Sequence, residues 1–179
     1  MQKKYFFTLI EILVATGIIA ILAGIGFAGY SYANNAGREK ATKMTIHQLT
    51  SALEACHTKL GFYPVSAAYG KIEFGVTTNI PDKIKFNGTE VPEKFRVLML
   101  KTLDFETLRS YCDSNGVLRD AWGNPIYYRY PGEINTTKYD IISAGTDGTF
   151  GSDSAATPVG DKTKYLDGKD WVCDDIANF

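Results

Sequence analysis

The chain has 179 residues, a formal net charge of -1 and three cysteines. That length accommodates one globular domain beside a membrane segment, and the charge balance gives no bulk basic footprint for nucleic acid. Cys56, Cys112 and Cys173 form no C-x-x-C pair, which argues against a zinc or thioredoxin-type site.

Taken in order, the chain opens on a short basic leader containing Lys3 and Lys4, followed by Phe6 to Tyr30, FFTLIEILVATGIIAILAGIGFAGY. An apolar run of this length reads as a membrane span, since a hydrocarbon core of ~30 Å needs about 20 helical residues. Lysines ahead of the span predict a cytoplasmic N-terminus and an exported body. Glu11 interrupts the run near its head. An ionisable residue in such a segment is costly, and it is a functional candidate whose partner has to be found. The rival reading is a secretory signal cut near Ala28 or Ala33, but such a signal has no use for Glu11.

Residues 31–60 turn amphipathic. Ile46, Leu49, Leu53, Cys56 and Leu60 recur at spacings of three and four, which places them on one face of a helix continuing to about residue 60. Gly61 and Pro64 then stop it. Gly24, Gly26 and Gly29 are either a weak spot in this helix or a place for close helix–helix approach. Residues 62–92 read as a connecting loop holding two short β-leaning pieces, Lys71–Val76 and Lys83–Phe86. A second helical pattern opens at Pro92-Glu93, runs through Phe95, Leu98, Met99 and Leu103 to Leu108 and Tyr111, and ends at Asp113-Ser114-Asn115-Gly116. The compact turn Asp120–Pro125 leads into Ile126–Tyr130 and Lys138–Ser143, which bracket Pro131-Gly132 as an antiparallel hairpin. From Ala144 onward the chain is rich in Gly and Asp and is expected to bury little core of its own. The fold class expected is α+β: a long N-terminal α-helix, membrane-spanning in its first half, packed on a small antiparallel β-sheet, with a Gly/Asp-rich C-terminal loop.

Two stretches carry a resemblance. Phe7-Thr8-Leu9-Ile10-Glu11 and its apolar run resemble the class III signal of type IV pilins and pseudopilins. Trp122-Gly123-Asn124-Pro125, then Tyr139-Asp140-Ile141-Ile142-Ser143-Ala144-Gly145-Thr146-Asp147-Gly148 and the terminal Asp174-Asp175-Ile176-Ala177-Asn178-Phe179, are similar to the major pseudopilin of type II secretion systems. Residues 65–118 match the pattern poorly, and residues 154–172 look like an insertion. The family resemblance implies a leader of residues 1–6 removed by a prepilin peptidase between Phe6 and Phe7, with N-methylation of Phe7. It implies that residues 7–30 form the membrane and assembly helix, and that residues 31–179 form a periplasmic pilin-like body. Glu11 would pair with the N-terminal amine of a neighbouring subunit. The family usually carries Gly before the cut, where this chain has Phe6.

The resemblance also implies calcium in the C-terminal loop. Ca²⁺ takes 6–8 oxygens at ~2.3–2.6 Å. Asp147, Asp174 and Asp175 match the family positions, Asp153 and Asp161 are further candidates, and the carbonyls of Ile142 and Gly145 are possible additions. The spacing is not that of an EF-hand. The plain alternative is that the Asp-Gly pairs only form turns. An exported body permits a disulfide; the three pairings stay open, with Cys112–Cys173 favoured because both border the C-terminal half. The Gly-rich loop at 145–151 lacks the Lys and following helix of a phosphate cradle, and no nucleophile–base–acid constellation indicates an enzyme. The function expected is that of a structural pseudopilin polymerising through its N-terminal helices into a fibre for type II secretion. Its partners would be the prepilin peptidase, an inner-membrane assembly platform, minor pseudopilins and lipid, with no nucleic acid. The alternatives are a type IV pilus subunit or, from a different class, a membrane-tethered enzyme or binding protein.

Overall fold

A computed structural model describes residues 8–75, 80–167, 170–171 and 173–179. Helix α1 runs from Leu9 to Leu60 without a break at its glycines. The chain divides into two units, Met1–Gly37 and Arg38–Phe179. In the first, the large apolar side chains from Leu9 to Phe27 are solvent-exposed, and by length and composition this part of the helix can cross a membrane.

In the second unit α1 becomes one-sided. Thr42, Thr45, Ile46, Leu49, Ala52, Leu53 and Cys56 are buried, at the three- and four-residue spacing that stacks side chains on one helical face. All five members of the expected stripe are in the core, Leu60 only in part. The helix ends as expected at Gly61, whose φ of +78° suits a residue without a Cβ and whose amide donates to His57 O at 2.7 Å. Just inside that end, Glu54 accepts from Tyr63 Oη at 2.9 Å, Lys138 Nζ at 2.9 Å and Tyr139 Oη at 3.2 Å, joining the helix to the loop that follows it and to the segment just before Asp140.

The sheet comprises β1 (Ser66–Gly75), β2 (Lys83–Phe86), β3 (Thr89–Glu90), β4 (Tyr127–Tyr130), β5 (Asp140–Ser143) and β8 (Ile176–Ala177), in the order β3-β2-β1-β4-β5-β8 with every pairing antiparallel. The expected hairpin is β4–β5. The stretch read as a connecting loop contains more than that: β1 is ten residues long and sits between β2 and β4. Its core-facing residues Ile72 and Phe74 alternate with more exposed Lys71, Glu73 and Gly75. The proposed strand end at Val76 lies outside the described residues. The second helical pattern divides into α2 (Glu93–Thr102) and α3 (Phe105–Arg109). The break follows from Asp104, whose carboxylate caps α3 by accepting from Thr107 Oγ1 at 2.6 Å and from its amide at 3.5 Å.

The C-terminal region corrects one expectation. Every residue of β5 is buried, because the strand has a core on each face. Ile141 belongs to the large cluster with Leu49, Leu53, Phe95 and Tyr128. Its neighbour Ile142 points the opposite way, as period two requires, and joins a second cluster with Ala144, Phe150 and Tyr165. The segment after Ala144 therefore brings its own aromatic anchors, each worth roughly 1.5–3 kcal/mol on full burial. It also includes a short hairpin of β6 (Leu166–Asp167) and β7 (Asp170–Trp171).

Candidate functional site

At the head of α1 Glu11 makes a reciprocal cap with Thr8. Its Oε2 accepts from the Thr8 amide and Thr8 Oγ1, both at 2.8 Å, while the Glu11 amide donates back to Thr8 Oγ1 at 3.3 Å. This satisfies orphan donors of the first turn. Glu11 shares a helix face with Ile10, Val14, Ala15 and Ile18, so its carboxylate is a single polar group within an apolar surface. Phe6 and Phe7, the expected cleavage and methylation positions, lie outside the described residues.

The C-terminal loop is positioned by the Asp120–Pro125 turn. Asp120 is almost wholly buried; its Oδ1 accepts from the amides of Trp122 at 2.9 Å and Asn124 at 2.8 Å, and its Oδ2 from Ser143 Oγ at 2.7 Å. The Ala121 amide donates to Thr42 Oγ1 of α1 at 3.1 Å. Asn124 Nδ2 donates to Gly145 O at 2.8 Å. One turn thus ties together the helix, the end of β5 and the first loop carbonyl. At Gly145 (φ +63°) an added Cβ would collide with the Asp174 carbonyl, so only glycine lets the two loop segments approach this closely.

The expected calcium residues separate in this arrangement. Asp174 Oδ2 accepts from the Asp147 amide at 2.8 Å, and Asp175 Oδ2 from the Gly151 amide at 2.7 Å. Asp175 is 5% exposed, and its Oδ1 is buried without a hydrogen-bond partner. Its pKa is pushed up to about 6, first by burial and further by the charges of Asp174 and Asp147, with the Cys173 thiol and Gly151 amide opposing. A buried carboxylate with an idle oxygen beside two more carboxylates is short of positive charge. Asp147 turns its own carboxylate to Thr149, accepting from its amide and hydroxyl at 2.8 Å each. Asp153 is drawn elsewhere, into an ion pair with Lys164 at 2.6 Å. Asp161 caps the 3₁₀ turn Lys162–Lys164 by accepting from Thr163. Among the expected carbonyls, Gly145 O already receives the Asn124 amide and Ile142 lies in the β5 ladder. Among the described residues no three His, Cys, Asp or Glu side chains are gathered as a ready metal cage. Asp147, Asp174 and Asp175 thus bring the 145–151 loop and the chain end together through amide contacts, while Asp153 and Asp161 are engaged by Lys164 and Thr163.

The favoured Cys112–Cys173 bridge is not formed, and all three cysteines are free thiols. Cys112 packs on the large cluster and Cys173 on the second one. Their Sγ atoms face separate carbonyls, Leu108 O at 3.6 Å and Tyr165 O at 3.9 Å. Burial pushes the thiols up to about 11 and about 12 respectively, which leaves them poor nucleophiles.

Two structural residues of this region lay outside the sequence expectations. Asp140, fully buried, accepts from Tyr69 Oη and the amides of Glu133, Ile134 and Asn135 at 2.7–2.9 Å. Asn178 extends the β5–β8 pairing with its side chain, accepting from the Ile141 amide at 2.7 Å and donating to Tyr139 O at 3.0 Å. The available signal was an aspartate set inside the apolar run Tyr139–Ile142, where a charge has to be matched by several donors.

No curated protein and no solved structure matches the chain. Residues 96–162, which run from within α2 through α3, the Asp120–Pro125 turn and the β4–β5 hairpin into the C-terminal loop, match the family model described as type II secretion system (T2SS), protein G. The match covers a little over a third of the chain, and over that region the chain is similar to this pseudopilin family; the long apolar-headed helix and the antiparallel sheet are consistent with a pilin-like α+β fold.

Proposed function

We propose that this protein is a fibre-forming pseudopilin of type II secretion, held in the inner membrane by the first half of α1 and carrying its body in the periplasm. The observation that supports this reading best is Glu11, a lone carboxylate on an exposed apolar helix head in a chain whose body matches the protein G family. In the bilayer the Thr8 cap partly satisfies that carboxylate. In a fibre, cleavage before Phe7 would free an amine, which becomes N-methylated and pairs with Glu11 of a neighbouring subunit. The pair fixes the axial register, because a charge in a low-dielectric helix bundle is tolerated only opposite its counter-charge. Residues 7–30 then serve first as anchor and afterwards as fibre core, while the prepilin peptidase, an assembly platform and minor pseudopilins act on the chain in turn. The body has a structural role without catalysis. Opening the outer envelope and finding the protein in filaments is the expected result; recovery only as dispersed membrane subunits would favour a tethered binding protein. Export of a soluble substrate, rather than surface pili, separates the secretion role from that of a pilus subunit.

Calcium is proposed to complete the C-terminal loop through Asp147, Asp174 and Asp175. The ion would neutralise carboxylates that now repel one another and would join the 145–151 loop to the chain end. A ligand of the native state raises stability by RT ln(1 + [L]/Kd). With calcium at about a hundred times its Kd, the body is expected to gain roughly 2.7 kcal/mol and melt several degrees higher than in chelator. An unchanged melting temperature would remove calcium from the account while leaving the fibre reading in place.

A further inference from the structure

We propose that Asn135, in the connection between β4 and β5, is an acceptor for an N-linked oligosaccharide where the cell supplies one on a polyprenyl diphosphate. This rests on the reading that carries the body out of the cytoplasm. Asn135-Thr136-Thr137 is an Asn-x-Thr triplet without proline, and Glu133 stands two residues before its asparagine. Such a triplet is an N-glycosylation acceptor when it lies on a surface loop of an exported chain. The connection has that form. Thr136, Thr137 and Lys138 are exposed, and Asn135 is partly so. The main chain is held from within, because Asp140 accepts from the amides of Glu133, Ile134 and Asn135. The Gly132 amide donates to Lys138 O at 2.9 Å and the Lys138 amide to Asn135 O at 3.0 Å. Asn135 therefore serves this network with its backbone, and its carboxamide is not needed to hold the loop. The Thr137 hydroxyl donates to Asn135 Oδ1 at 3.1 Å, so the first and third residues of the triplet already face each other.

A second triplet, Asn87-Gly88-Thr89, supplies the contrast. Asn87 sits at the β2–β3 turn with φ +52°, and its amide donates to Lys71 O at 3.0 Å. Its side chain lies against β1 so closely that a Cβ added to Gly70 would collide with it. Thr89 is paired with Phe86 in the sheet, whereas Thr136 and Thr137 lie in a turn outside any strand. A transferase can therefore seat the Asn135 triplet without undoing sheet pairing, and Asn87 stays unmodified. In the transfer Asn135 Nδ2 attacks C1 of the first sugar. The N–C1 bond forms as the C1–O bond to the diphosphate breaks. Polyprenyl diphosphate leaves with the electron pair, and the amide nitrogen gives one proton to a base of the transferase. The product carries a bulky, solubilising branch at this surface, which keeps the β4–β5 connection clear of neighbouring subunits.

The test is expression of the full chain in bacterial cells that carry a membrane oligosaccharyltransferase and its polyprenyl-diphosphate oligosaccharide, beside the same cells without the transferase. Peptide mass mapping of the membrane-isolated protein reads the glycan, and protease added to spheroplasts reads which side the body occupies. One glycan on the Asn135 peptide and none on the Asn87 peptide is expected, in the transferase cells alone. Asn135→Gln and Thr137→Val should lower occupancy by about tenfold or more, while Thr137→Ser, which keeps the hydroxyl, and Asn87→Gln should retain it. A protease-accessible body with no glycan on Asn135, or with the glycan on Asn87 in its place, overturns the proposal and leaves the exported reading standing. A body digested only after lysis and carrying no glycan overturns both. Should Asn135→Gln not fold, the Thr137 pair decides: equal occupancy in Thr137→Val and Thr137→Ser overturns the proposal.

Discussion

Replacing Glu11 by alanine is expected to leave the chain in the membrane and to abolish its recovery in fibres. Glu11 is the sole charged side chain among residues 8–30, and its neighbours on the helix surface are apolar. Insertion into lipid becomes easier without it, since a carboxylate at mid-membrane costs roughly 2.5–3.5 kcal/mol on insertion scales and less near an interface. The loss of the Thr8 cap frays one turn at a cost of about 1 kcal/mol, too little to expel a helix of this hydropathy. On the proposed reading, what disappears is the counter-charge for a neighbour's amine inside the bundle. Breaking a buried ion pair from one side typically costs about 3–5 kcal/mol, enough to lower fibre yield by two orders of magnitude or more. Fractionating filaments released from opened envelopes away from membranes measures this directly, and wild-type filament yield from the alanine variant would refute the register role.

Asp140→Ala carries the largest expected effect on the body. Four donors converge on this one carboxylate: the Tyr69 hydroxyl and three consecutive amides of the β4–β5 connection. Removing the acceptor leaves four part-buried donors without their shared partner; water reaches some of them, so the cost for each falls below the figure of about 1–3 kcal/mol for a fully buried unsatisfied group. A net loss of roughly 4 kcal/mol is expected in urea or thermal unfolding of the body. Asp140→Asn keeps one carbonyl acceptor and should lose about half as much. A loss below about 1 kcal/mol for the alanine variant would mean that the connection is held by its own turn geometry instead.

What the sequence disclosed, and what it hid, follows from the range of the interactions involved. Helical periodicity is local, so the stripe from Ile46 to Leu60 and the stop at Gly61 could be read residue by residue. The β4–β5 hairpin was legible for the same reason, two β-rich runs joined across Pro131-Gly132. The second half of β1 and the whole of β2 were legible as the β-leaning pieces from Lys71 and Lys83, whereas the first half of β1 was hidden because Ser66-Ala67-Ala68-Tyr69-Gly70 has little β propensity and is made a strand by pairing with β4. The division between α2 and α3 turned on a single capping aspartate within a continuous apolar rhythm. The second core escaped notice because Phe150 and Tyr165 are isolated in a polar stretch; their burial depends on Ile142 offering the far face of β5.

At the candidate site the same distinction applies. Asp147, Asp174 and Asp175 stand out in the sequence because they sit in short local motifs at the two ends of the loop, and the structure brings those two segments together through the Asp147 and Gly151 amides. Asp153 was a reasonable candidate by proximity, but Lys164, eleven residues later, claims its carboxylate, and no local pattern announces that pairing. The cysteines failed as a bridge for the corresponding reason: sequence distance from the C-terminal half does not reveal that Cys112 and Cys173 serve different clusters.

The central claim is that the chain is processed and assembled as a pseudopilin, and the intact mass of the protein isolated from membranes tests it most directly. The account predicts a chain beginning at Phe7, lighter by residues 1–6 and heavier by one N-terminal methyl group, with the apolar helix retained. A mass that keeps the leader, or that shows a cut beyond Tyr30 with the helix lost, would contradict it.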